Sequence, residues 1–100
     1  MARSPQITSQ TLRVLETIVS AGELSGADIM RATGLFSGTL YPMLLRLERA
    51  GWLTSRWEEE IPQTLGRPRR RFYEVTGEGA KQARAAARSL QPTIGRLAWT

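Results

Sequence analysis

One hundred residues are enough for one small domain, with only about 60–65% of the unfolded chain's surface removed from water. The chain has no cysteine and no histidine, which excludes disulfides, nearly every zinc site and histidine-based catalytic triads. The net charge of +5 is carried almost wholly by arginine and lies beyond residue 60, where eight basic residues meet two acidic ones; residues 1–60 hold six and seven.

The opening MARSPQITSQ lacks the apolar run of a secretion signal, and no later stretch approaches a membrane span. A cytoplasmic protein with no membrane contact is expected. The first periodic segment runs from Thr8 to Ala21. Leu12, Leu15 and Val19 recur at helical spacing with Ile18 beside them, Thr8 or Ser9 caps the start, and Gly22 ends it. Ser25 followed by Asp28 is a capping box with Asp in place of Glu, and Leu24 and Ile29 are placed as a hydrophobic staple around it. With Gly34 as a left-handed stop, residues 26–33 form a helix of about two turns.

A third helix follows at about 38–50, with Ser37 or Thr39 as its cap and Gly51 as its end. Leu40, Met43, Leu44, Leu47 and Ala50 form its apolar stripe. Two short helices joined near Gly34, with the first helix behind them, make a helix-turn-helix pattern. The period then changes. Residues 52–57 are rich in strand formers, residues 58–68 read as a loop containing Pro62, Gly66 and Pro68, and residues 69–75 return as a second strand with Tyr73 and Val75 on one face. Residues 52–76 thus form a wing. Thr76 caps a last helix in which Ala80, Ala83, Ala87, Leu90, Ile94 and Leu97 keep a heptad seam, with Pro92 at an outward position where it disfavours helical geometry. The expected fold is mainly α with a small β-hairpin. A winged helix-turn-helix spans residues 1–76, and a C-terminal dimerisation helix at 77–100 belongs to the same single domain.

The wording of two segments is more specific than the order of elements. Ser37-Gly38-Thr39-Leu40-Tyr41-Pro42-Met43-Leu44, with Leu47-Glu48 and Gly51-Trp52-Leu53 behind it, resembles the third helix of the PadR family of transcriptional regulators. Gly66-Arg67-Pro68-Arg69-Arg70-Arg71-Phe72-Tyr73-Glu74-Val75-Thr76 is similar to that family's wing and its entry into the last helix. The resemblance covers roughly residues 9–90 and suits a compact member with one C-terminal helix. It implies a dimer held by the last helix, a palindromic operator and repression released by a small ligand. Pro92 and the Glu58-Glu59-Glu60 run depart from the pattern.

Candidate DNA contacts follow from the chemistry of grooves. Thr39, Pro42, Arg46 and Arg49 share the helix face opposite the apolar stripe, bordered by Ser37, Gly38, Tyr41 and Leu45. Small residues there let the backbone approach, and Arg46 is placed to reach guanine O6 and N7. Tyr41 offers a hydroxyl to phosphate, or else lies half-buried in the fold. In the wing, Arg67, Arg69 and Arg70 suit a flanking minor groove or backbone, while Arg71 is balanced between DNA and pairing with an acid of the opposing arm. Trp52 and Trp57 read as packing residues, and Trp99 as an anchor at the seam's end.

The expected function is sequence-specific binding of double-stranded DNA by a homodimeric repressor that reads half-sites about 10 bp apart. Two alternatives stay open: a sensor whose DNA affinity responds to a small aromatic effector, and a winged-helix module used only for protein assembly. No catalytic residues, cofactor or metal are expected, because no constellation for them is present.

Overall fold

The computed structural model describes the backbone of residues 5–99 and the side chains of residues 5–90. Helix α1 (Ser9–Ala21) starts where the Thr8 hydroxyl accepts from the Thr11 amide at 3.2 Å. It stops at Gly22, whose positive φ of 83° few other residues adopt. Its buried face is Thr11, Leu12, Val14, Leu15 and Ile18; Val19, expected inside by its spacing, is exposed.

Strand β1 (Leu24–Ser25) is only two residues long and was not expected. Ser25 has two tasks. Its backbone pairs with a later strand, and its hydroxyl accepts from the Asp28 amide at 3.1 Å to cap helix α2 (Gly26–Thr33). That hydroxyl and the nearby Arg31 hold the Asp28 carboxyl below its usual range. Gly34 closes α2 in the left-handed conformation.

Helix α3 (Ser37–Arg49) buries Leu40, Met43, Leu44 and Leu47. The expected cap at Ser37 or Thr39 is not found. Phe36 occupies the N-cap and supplies no side-chain bond, because burial of Leu40 behind a part-buried Leu35 fixes the helix one residue earlier. Pro42 lies inside this helix and lacks the N–H that would pair with the Gly38 carbonyl.

Strands β2 (Leu53–Trp57) and β3 (Arg71–Val75) are antiparallel, from Leu53 opposite Val75 to Trp57 opposite Arg71. β1 pairs on the other edge of β3, so the expected hairpin is a three-stranded sheet of order β1-β3-β2. The connecting segment is not wholly irregular: Pro62–Leu65 forms a single turn, α4, closed by a left-handed Gly66. One core unites the elements, with Leu12, Val14, Leu15 and Ile18 against Ile29, Leu40, Leu44, Leu47, Trp52, Leu53 and Tyr73. Each large aliphatic side chain so buried contributes about 1.5–3 kcal/mol.

Helix α5 (Gly77–Trp99) is one element through Pro92, where a break was a possibility in the sequence. Its start is seated closely on the Gly51-Trp52 turn ahead of β2. The Thr76 amide donates to the Trp52 carbonyl at 3.0 Å, and the Thr76 hydroxyl donates to the Gly51 carbonyl at 2.7 Å while accepting from the Gly79 amide at 3.0 Å. A Cβ on Gly79 would collide with the Trp52 carbonyl oxygen.

Part of the heptad seam is occupied within the chain itself. Ala83 is buried in the chain's own core, and Ala87 and Leu90 pack against that core, because α5 lies along α1. A periodic stripe records burial but not which surface does the burying. Ala80 and Ala87 also line a groove of about 380 Å³ with Glu16 and the exposed Val19. The side chains of Ile94, Leu97 and Trp99 lie outside the described residues.

Candidate nucleic-acid interface

The outward face of α3 carries no packing duty. Ser37, Gly38, Thr39, Tyr41, Pro42, Leu45, Arg46 and Arg49 are all exposed. At 3.6 residues per turn, the line opposite the buried stripe runs through Gly38, Pro42, Leu45 and Arg49. Thr39 and Arg46 fall on one flank and Tyr41 on the other, so Leu45 is more central than the sequence reading placed it. Arg46 and Arg49 make no ion pair among the described residues. Arg46 borders a cleft of about 320 Å³ with Pro5, Gln6 and Thr8 ahead of α1. At the helix start, the Thr39 and Leu40 amides both turn back to the Phe36 carbonyl, leaving those of Ser37 and Gly38 for an outside acceptor.

Tyr41 is 43% exposed. Its ring lies over Gly26, where any Cβ would meet the phenol, and its hydroxyl end borders a second cleft of about 370 Å³. The same cleft is lined by Arg69, Arg70 and Arg71 of the wing and by Ser25 at the start of α2. Helix α3 and the wing therefore share this cleft, α3 contributing Tyr41 and the wing its arginines.

The four wing arginines do different things. Arg67 grips the Glu58 carboxylate with both nitrogens, at 2.7 and 3.0 Å. Together with the Arg70 amide, it pulls Glu58 down to about 2. The Arg67 guanidinium, expected on DNA, is thus occupied across the hairpin, because Glu58 lies within reach of it. Arg69 donates to the Glu60 carbonyl at 2.9 Å, and the Arg70 side chain has no ion pair among the described residues. Arg71 is paired, but with Glu48 of α3 rather than with an acid of the opposing arm. Its Nε donates to the Ser55 hydroxyl at 3.0 Å, a terminal nitrogen lies 3.4 Å from Glu48, and the guanidinium stacks over Trp57 at 5.1 Å. Ser55 in turn donates to Glu48.

This Glu48–Ser55–Arg71 network, joining α3 to both long strands, was not foreseen. Neither was the bidentate pair of Arg56 with Glu23, at 2.9 and 2.7 Å, which seats Arg56 over Phe72. Both rest on strand register, which places residues far apart in sequence side by side. Trp52 is buried as expected, whereas Trp57 is more than half exposed beneath Arg71. No helix of the described residues is long and apolar enough to cross a membrane.

Comparison with known proteins gives a consistent picture. Residues 14–85 match the model of the transcriptional regulator PadR-like family. A PadR family transcriptional regulator from Eggerthella lenta superposes with a TM-score of 0.68 at 26% identity, covering 90% of this chain and 81% of that one. A PadR family transcription regulator from Clostridium difficile gives 0.67 at 21% identity, covering 89% and 98%. A mutant MarR from E. coli complexed with operator DNA shares the fold, with a TM-score of 0.68 at 20% identity over 83% of this chain and 55% of that one. No curated protein matches the chain.

Proposed function

This chain belongs to the PadR-like family of transcriptional regulators, and from that premise we propose that it is a homodimeric repressor whose α3 enters the major groove of a pseudo-palindromic operator. The observation that carries the reading is the shared margin of the second cleft, where Tyr41 of α3 meets Arg69 and Arg70 of the wing. A duplex lying against α3 then meets the wing cations at its flanking phosphates without any change of fold.

The residues divide the work by position. The free amides of Ser37 and Gly38 and the Tyr41 hydroxyl take phosphate oxygens. Thr39 and Pro42 lie on the exposed face that the groove floor would cover. Arg49 faces the bases directly, while Arg46 reaches either a guanine edge or the nearer backbone beside the segment ahead of α1. Arg69 and Arg70 supply the wing's attraction. Arg67 serves instead to hold the wing's shape through Glu58.

Two copies are needed to read a palindrome, and the groove between α1 and α5 is the surface offered for pairing. It is open in the single chain and is lined by Val19, Ala80 and Ala87. Pairing there keeps residues 1–76 as the DNA-binding part and α5 as the dimer element of one domain. That a mutant MarR of similar fold forms a complex with operator DNA supports this reading.

The test is fluorescence anisotropy across a salt series, with the duplex upstream of the protein's own gene and a scrambled duplex. The wild type should prefer the upstream duplex. Arg49→Ala should lose that preference, and Arg69→Ala/Arg70→Ala should bind both duplexes more weakly with a shallower salt slope, by about one to two units. A folded protein that binds neither duplex at low salt overturns the proposal.

A further inference from the structure

The exposed face of α3 is unusually apolar for a surface that is to meet a polyanion. Phe36, at the N-terminal end of the helix, is 84% exposed, and Leu45, on the outward line with Pro42, is 47% exposed. Neither Phe36 nor Leu45 belongs to the core or packs against it. Phe36 is the more telling. It fills the N-cap, where Ser, Thr, Asp or Asn would satisfy a free amide, and it satisfies none. Folding gains nothing from an aromatic ring there. Gly38, beside it, has no atom within 4 Å of where its Cβ would stand, so this end of the helix is open to an approaching surface.

The charges around these side chains select the approaching surface. Arg46 and Arg49 flank Leu45 on the same helix, the amides of Ser37 and Gly38 point outward beside Phe36, and the wing adds Arg69 and Arg70. Apolar groups framed by cations fit a partner that is apolar at its centre and anionic at its edges. The major groove is such a surface. Its one apolar feature is the C5-methyl group of thymine.

We infer that Leu45 and Phe36 are specificity residues that read thymine methyl groups, so that the preferred half-site is defined by thymines at two positions as well as by any guanine an arginine reaches. The inference rests on the proposed DNA-binding function and adds the chemical class of base it selects. The two residues are nine positions apart, about 13 Å along the helix, so the two thymines lie within about four base-pair steps of each other.

The experiment begins with selection of the wild-type operator from random duplexes. Each dT of that operator is then replaced by dU, which keeps Watson–Crick pairing and removes only the methyl. Binding of wild type, Leu45→Ala and Phe36→Ser is measured on every duplex. Phe36→Ser adds a capping hydroxyl, so its melting temperature should not fall below wild type, which separates contact from folding. For wild type, dU at each of two positions should weaken binding about fourfold, the value of one buried methyl. Leu45→Ala should be indifferent to dU at one of these positions and Phe36→Ser at the other. Equal dU penalties in wild type and both variants, or none in wild type, overturn the inference while leaving DNA binding intact. Failure of the folded wild type to enrich any sequence removes the DNA-binding proposal, and this inference with it.

Discussion

Two glycines at the start of α5, two residues apart, should respond to the same substitution with opposite sign. A Cβ at Gly77 meets nothing within 4 Å, whereas one at Gly79 runs into the Trp52 carbonyl oxygen and the Val75 side chain. The carbonyl is backbone, and it is already fixed by accepting from the Thr76 amide at 3.0 Å, so it cannot move aside as a side-chain tip would. Replacing glycine by alanine within a helix gains about 0.5–1 kcal/mol by restricting the unfolded chain. Gly77→Ala should keep that gain. Gly79→Ala must set it against an overpacking cost of about 1–3 kcal/mol, for a net loss of about 1–2 kcal/mol. In a chain of this size those energies correspond to a rise of roughly 2–8 °C for Gly77→Ala and a fall of roughly 5–15 °C for Gly79→Ala. Thermal unfolding followed by far-UV circular dichroism, at one fixed protomer concentration so that any dimerisation contributes equally, resolves shifts of that size. A Gly79→Ala protein that melts at or above wild type would refute the reasoning, because α5 would then not be seated on Trp52 as described.

Three further outcomes are expected. Glu58→Gln releases the Arg67 guanidinium, so binding to non-specific duplex should tighten at low salt and its salt slope should steepen by about one unit, read by anisotropy. The Glu58 carboxyl, held at about 2 against an ordinary 4.5, contributes stability that is complete above pH 4.5 and fades as pH falls towards 2; carbon-detected NMR titration should place its midpoint near the lower value, and a midpoint near 4.5 would mean that the pair with Arg67 does not persist in solution. Ser25→Ala removes the α2 cap and leaves a buried position without its hydroxyl, so chemical denaturation should show a loss of about 0.5–2 kcal/mol with an unchanged slope.

The legible parts of this fold were those written in local chemistry. Helix α2 begins at Ser25 and stops at Gly34 because a hydroxyl and a left-handed glycine do the same work wherever they stand in a chain. The stripe from Leu40 to Leu47 marked the inner face of α3, and the change of period after Gly51 marked the sheet. What escaped was whatever depends on a distant partner. Two residues of β1 have no pattern of their own and become a strand only because β3 passes beside them. The seam from Ala80 to Leu90 has the right period for a partner chain, yet α1 covers much of it. The single turn at Pro62–Leu65 carried both its signals, a proline at the start and a glycine at the end, but is too short to show a buried face. Within the candidate site, the exposed residues of α3 were legible and the roles of the wing arginines only partly so. Arg71 is brought to Glu48 by the placement of β3 beside β2, Arg67 is held by Glu58 across the loop beyond the strands, and Arg70 makes no ion pair among the described residues.

The seat of Thr76 on Gly51 and Trp52 has a mechanical consequence. Gly51 ends the turn that leaves α3, so the end of α3 and the first turn of α5 are joined through two short hydrogen bonds. A helix of 23 residues is about 34 Å long, and it acts as a lever with its fulcrum at this seat. A swing of roughly 5° about the fulcrum displaces the far end by about 3 Å, close to one base-pair step. In a dimer paired through α5, as proposed, small adjustments in how two such levers cross would change the separation of the two α3 helices, and the stiffness of one threonine's bonds would set how faithfully that conversion is made.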